Sequence, residues 1–307
     1  MSFVGKVWKV LVGIKDGLVL MFMLLFFVAL FAALSARPNP GQVREGALLI
    51  ELNGTVVEEK SPINPIAALL SGTAPVGEYR ARDVVRALDA AATDDRIKAV
   101  VIDLTTFLGG GQVHLKDIGE AMDRLRTAKK PVLTYAVGYA DDHMLLAAHA
   151  SEVWLDPQGL AVISGPGGNQ LYYAGLLEKL NVNARVYRVG TFKSAVEPFS
   201  RSSMSDQARE NIGGLYSALW EEWQANVAKA RPKLALARVT RDPVAWIESS
   251  GGDMAQAAMA AGLVDKLGDR TQFGARVAEL VGKDPWSELP GTYASSEFDA
   301  FLASLGK

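Results

Sequence analysis

The chain has no cysteine among its 307 residues. Disulfides, thiol nucleophiles and cysteine-type zinc sites are excluded together, and the composition suits an oxidising compartment. Histidine is nearly as scarce. Only His114, His143 and His149 occur, and the last two, six apart, share no helix face. No clustered ligand spacing for a metal arises, although "ADDHM" sets carboxylates beside His143, where they read as surface polar residues opening a helix. There is no excess charge of either sign. A net charge of -2 leaves no basic footprint for nucleic acid, so no nucleic-acid partner is expected. A Gly-x-Ser-x-Gly nucleophile elbow is missing too.

One long apolar run is present. Gly17 to Ala36, "GLVLMFMLLFFVALFAALSA", is 20 residues without a charge. A helix of that length rises about 30 Å, the thickness of the bilayer hydrocarbon core. Lys6, Lys9 and Lys15 precede it, which predicts a cytoplasmic N-terminus and an exported remainder. The run exceeds a signal-peptide h-region, and "LSARP" is a poor cleavage site, so the expectation is an uncleaved anchor.

Beyond a linker at 37–46, "ALLIEL" and "TVVEE" are split by Asn53-Gly54, a pair that suits a hairpin turn. Residues 60–82, with Pro62, Pro65 and Pro75, read as a mobile loop. From Asp83 the pattern alternates. Helical stretches such as "DVVRALDAAATD" and "VHLKDIGEAMDRLRTA" alternate with the apolar runs "IKAVVIDL", "PVLTYA" and "EVWL". Uninterrupted apolar strands between helices predict an α/β domain with a mainly parallel sheet. "NARVYRV" reads as a further buried strand. A long helix over 205–231 has Ser205 as N-cap and Tyr216, Trp220, Trp223 and Val227 along one face, for packing or for an oligomer contact. Residues 284–307 read as a linker.

Two stretches invite chemistry. "DLTTFLGGGQ" sets Gly109, Gly110 and Gly111 between a strand and a helix, where backbone N–H groups can meet an anion or oxyanion. By itself the stretch reads first as an ordinary strand–helix turn, and it is no dinucleotide fingerprint because His114 takes the sixth position. "RVGTFKSAVEPF" holds Lys193 after that strand, with Gly190 before it and Glu197-Pro198 after it. A free lysine, with a pKa of about 10.4, is a poor base at neutral pH. Apolar walls that favour the neutral amine would let it deprotonate a serine hydroxyl. A solvated loop lysine is the alternative that composition alone leaves open.

"RVGTFKSAVEPF", followed by "MS" and a long helix, closely resembles the lysine motif of the signal peptide peptidase A (protease IV) family. The resemblance runs through the N-terminal run, "AVVIDL", "KKPVLTYA", "SEVWLDPQG" and "AGLVDKLGD". It implies a ClpP/crotonase-like fold of repeated ββα units preceded by one transmembrane helix. It also implies a serine peptidase with a Ser-Lys dyad, Lys193 as general base and no cofactor. Released signal peptides and other membrane-associated peptides would be its substrates, and the chain would associate into a homo-oligomer. The location implied is a bacterial inner membrane, crossed once and in contact with lipid, with the main domain periplasmic. Long family members fuse two repeats, with the lysine in the first and the serine in the second. Here Asp141 falls near the serine position, and no serine occurs between Thr134 and His149. The expected organisation is therefore a cytoplasmic N-terminus (1–16), an anchor (17–36), a linker (37–46), one peptidase repeat (47–283) and a linker (284–307). The serine-bearing repeat would lie on a longer chain or on a partner. Ser164 and Ser194 lie in no segment resembling the nucleophile turn. The other readings are a non-catalytic, membrane-anchored assembly subunit of the same fold, and a stomatin-associated or crotonase-like relative with other chemistry.

Overall fold

The computed structural model describes residues 3–35, 42–62 and 76–306. Helix α1 (Phe3–Ser35) is one uninterrupted helix, longer than the uncharged run itself. Its stretch Gly5–Phe31 is long and apolar enough to cross a membrane, and none of it is buried against the rest of the chain.

The body is a six-stranded sheet with strand order β7-β6-β5-β4-β1-β8, parallel throughout. In chain order these are β1 (Gly46–Glu51), β4 (Ile97–Asp103), β5 (Val132–Tyr139), β6 (Glu152–Ala161), β7 (Lys266–Leu267) and β8 (Ser295–Glu297). The crossovers are helical: α2 (Ala81–Thr93) leads into β4, α3 (Gln112–Thr127) joins β4 to β5, and α4 (Asp141–Ala147) joins β5 to β6. Side chains alternate between the two faces of a strand. On β4, Val100 and Ile102 join the core beneath α2 and α3, whereas Ala99 and Val101 face a second core with Phe273 and Val277. Burial on both faces explains why these strands read as unbroken apolar runs.

A second sheet is small. Strand β2 (Gly54–Val57) pairs in parallel with β3 (Gly77–Arg80), and Thr55 bridges to Gly109. Gly109, between β4 and α3, thus reaches the small sheet through one isolated bridge. The hairpin expected at Asn53-Gly54 is not formed, because β1 and β2 belong to different sheets. The glycine serves a close approach instead: Gly54 has φ of 142°, and a Cβ there would sit 2.0 Å from the Gly77 carbonyl oxygen.

Two short helices, α5 (Ala174–Lys179) and α6 (Glu197–Ser200), precede the long α7 (Asp206–Ala230). Ser205 caps α7 as expected, its hydroxyl accepting the Ala208 N–H at 3.1 Å. Trp223 and Val227 pack into the main core, and Trp220 stacks on Trp223 with ring centroids 5.0 Å apart. Helices α8 (Leu236–Arg241), α9 (Pro243–Glu248), α10 (Met254–Ala261) and α11 (Arg270–Val281) follow. Two expectations need correction. Residues 284–307 are not simply a linker, since β8 extends the sheet beside β1 and α12 (Phe298–Ser304) buries Phe298 and Phe301 in the core. "NARVYRV" forms no strand, and Tyr187 and Val189 are each 91% exposed. Among the described residues no neighbouring strand offers that run a ladder, and most of it is exposed. Most of the expected loop at 60–82, with Pro65 and Pro75, lies outside the described residues, as does much of the expected linker at 37–46.

Candidate active site

Lys193 stands in the turn that leads into α6. The sequence left open an apolar pocket or a solvated loop position, and the structure has the second: the side chain is exposed and makes no hydrogen bond or ion pair among the described residues. The walls that would neutralise the amine are therefore not supplied by the described part of this chain. Its backbone is well tied. Gly190, at φ of 105°, lets the chain double back, with its Cβ position 3.4 Å from the Lys193 Cγ. The Arg188 guanidinium donates to the Lys193 carbonyl at 3.2 Å, and the Glu197 N–H donates to the Ser194 carbonyl at 2.9 Å. Beside the turn lies a cleft of about 320 Å³, lined by Tyr172, Ser194, Glu197, Met204, Ile212 and Tyr216 among others. In the chain flanking its lining residues, Leu171, Phe192 and Phe199 are all at least half exposed.

The glycine turn is elsewhere engaged. The Gly110 N–H donates to the Asp142 carboxylate at 3.0 Å, so the anion that this turn binds is a side chain of its own repeat. The turn must stay glycine for close packing: a Cβ on Gly109 would lie 2.6 Å from Asp142 Oδ2, and one on Gly110 2.6 Å from Val56 Cβ. The neighbouring Asp141 accepts the Ser164 hydroxyl at 2.9 Å and the Gly165 N–H at 3.0 Å. Its carbonyl accepts the Trp223 indole N–H at 3.0 Å. Ser164 is thus bonded to a carboxylate, and no hydroxyl lies within hydrogen-bond reach of the Lys193 amine among the described residues.

The histidines are structural. His149 is buried, with one ring nitrogen 2.8 Å from Asp123 and the other 3.0 Å from the Asn226 side-chain oxygen. His143, expected as a surface residue, instead meets Phe107 edge-on at 5.2 Å with its Nδ1 unpartnered, and burial lowers its pKa. Sequence reasoning missed both the Asp142–Gly110 contact and the Arg188–Glu197 contact. A signal for the second was available in an acidic residue just ahead of Pro198 in a segment otherwise small and apolar.

The description peptidase family S49 matches residues 124–284, which include Lys193 and the Asp141–Asp142 pair. A protease 4 of Salmonella typhi is 33% identical over 98% of this chain and 50% of its own length. One from Haemophilus influenzae is 32% identical over 97% of this chain and 49% of its own. The chain thus spans about half the length of these curated relatives. A membrane-bound stomatin-specific protease of known structure covers 84% of this chain and 95% of its own, at 11% identity and a TM-score of 0.33. With the family match covering more than half of its residues, the chain belongs to peptidase family S49, to which its protease 4 relatives point as the signal peptide peptidase A branch.

Proposed function

We propose that this chain is the base-bearing repeat of a membrane-anchored serine peptidase that degrades released signal peptides and similar membrane-associated peptides. The observation that carries the proposal is the Lys193 turn: a lysine with a tethered backbone and an unengaged amine, beside a cleft and exposed apolar residues. A serine-bearing repeat, on a longer chain or a partner in a homo-oligomer, would cover that apolar surface and supply the missing walls. Desolvation there favours the neutral amine. The amine takes the serine Oγ proton as Oγ attacks the peptide carbonyl, and returns it to the leaving amine. Water then attacks the acyl-serine, losing a proton to Lys193; the acyl–Oγ bond breaks, Lys193 returns that proton to the departing Ser Oγ, and the acid product leaves as its carboxylate. No cofactor takes part. Helix α1 holds the repeat at the bilayer, and the three lysines before its apolar run set the domain on the periplasmic side.

One observation favours the second reading, an assembly subunit without catalysis. The Asp142 carboxylate occupies the Gly110 N–H that an oxyanion would need, so the working hole must come from elsewhere. The test is peptide cleavage by the detergent-solubilised chain alone and after mixing with a serine-bearing repeat. The proposal expects no cleavage by the chain alone and cleavage by the mixture. Inactivity of a verified stoichiometric assembly would favour the subunit reading.

A further inference from the structure

Among the described residues the turn that carries Lys193 has no sheet to hold it, yet its backbone is fastened to helix α7 by a short polar relay. At the inner end is Glu197, a carboxylate only 4% exposed. It accepts the Ser205 hydroxyl at 2.6 Å and the Ser205 N–H at 3.0 Å. The same Ser205 caps α7, so Glu197 is referenced to the longest helix of the domain. At the outer end, Arg188 Nη1 lies 3.5 Å from Glu197 Oε1 and donates to the Lys193 carbonyl at 3.2 Å. The Glu197 N–H closes the turn onto Ser194 at 2.9 Å.

Burying a carboxylate is costly unless it is paired and hydrogen-bonded, and an apolar side chain would fill the same space without that cost. A carboxylate at this buried position fits a task that charge and directed hydrogen bonds perform. A catalytic group must be held within about 0.5 Å of its working position, which an unpaired loop does not achieve by packing alone. We propose that Glu197 and Arg188 are positioning residues that fix the Lys193 backbone against helix α7 through Ser205. The inference rests on the reading of Lys193 as the general base. The hydroxyl and N–H of Ser205 hold the Glu197 carboxyl below the usual carboxylate range, with Arg201 and Arg188 adding to the effect. The relay therefore stays charged throughout the neutral range.

The experiment uses the assembly of this chain with its serine-bearing repeat and a fluorogenic peptide. It compares wild type with Glu197→Gln, Arg188→Ala, Arg188→Lys and Lys193→Ala. Glu197→Gln and Arg188→Ala are each expected to lower kcat on the order of tenfold to a hundredfold, the scale of a small misplacement of a reacting group, with KM nearly unchanged. Arg188→Lys, which keeps a cationic donor, should recover most of the rate. The split between kcat and KM and the rescue by Arg188→Lys are the readouts that a merely structural role would not move. Unchanged kcat in both variants beside a dead Lys193→Ala would overturn the positioning role and leave the base reading intact. A rate loss in Arg188→Ala matched by failed assembly in sedimentation or by a large fall in Tm would overturn it as well. Activity in Lys193→Ala would remove the base reading on which it rests.

Discussion

Gly119→Ala separates two opposing effects on one helix. Gly119 lies inside α3, where alanine is ordinarily favoured over glycine by about 1 kcal/mol. The structure reverses the sign. A Cβ at this position would lie 2.5 Å from His149 Cδ2 and 2.7 Å from its Nε2. That ring cannot simply swing aside, because Asp123 holds one nitrogen at 2.8 Å and Asn226 the other at 3.0 Å. Overpacking costs about 1–3 kcal/mol, and losing a hydrogen bond to a charged partner about 1.5–3 kcal/mol more. Against the propensity gain, a net loss of about 1.5–5 kcal/mol is expected. Urea denaturation of the solubilised chain, followed by tryptophan fluorescence, reads it as a lower midpoint at unchanged slope. The double variant Gly119→Ala/His149→Ala removes the ring and should be no less stable than His149→Ala alone, a strongly non-additive cycle. A single Gly119→Ala variant as stable as wild type, or more so, would refute the reasoning.

Phe301→Ala should cost about 3–5 kcal/mol in the same assay, because Phe301 is wholly buried; a loss below about 1 kcal/mol would detach α12 from the fold. Glu152 is paired with Arg276 at 2.7 Å, and although burial opposes it, hydrogen bonds from Arg276 and Trp154 leave its pKa lowered. That pair contributes stability above the ordinary glutamate pKa of about 4.3, lost as pH falls through the lowered folded value. Glu152→Gln should therefore reduce stability at pH 7 by up to about 1 kcal/mol and flatten its decline in acid, which urea titrations at several pH values would show. Asp142→Ala should speed hydrogen exchange of the Gly110 amide on the order of tenfold, and an unchanged rate would mean the carboxylate does not hold that N–H. Protease added to intact spheroplasts should remove the domain beyond α1, and its full protection would contradict the proposed orientation.

The parallel core was legible because doubly buried strands leave continuous apolar runs, as in "IKAVVIDL", and because the stripe Ile118, Met122 and Leu125 marks one buried helix face. Asn53-Gly54 misled because a glycine needed for contact with Gly77 looks, in sequence, like one needed for a hairpin. The segment before Lys193 misled for another reason. A period of apolar residues reports that a surface is to be covered, not that the covering strand or partner belongs to the same chain. Strand β8 was missed because three residues, Ser295–Glu297, carry no apolar alternation, and their place is set by pairing with β1. At the candidate site, Lys193 was visible through its motif. The Asp142–Gly110 and Arg188–Glu197 contacts were not, since each joins residues brought together only by the folded backbone.

The central claim is that Lys193 is the base of a Ser-Lys dyad completed by another repeat. The most direct measurement is kcat for peptide cleavage by the assembled protein with wild type, Lys193→Ala and Lys193→Arg compared across pH. Wild-type rate should rise with pH as the amine loses its proton, and both variants should be inactive with peptide binding retained, because guanidinium does not deprotonate in this range. Cleavage by Lys193→Ala at a rate near that of wild type would contradict the account.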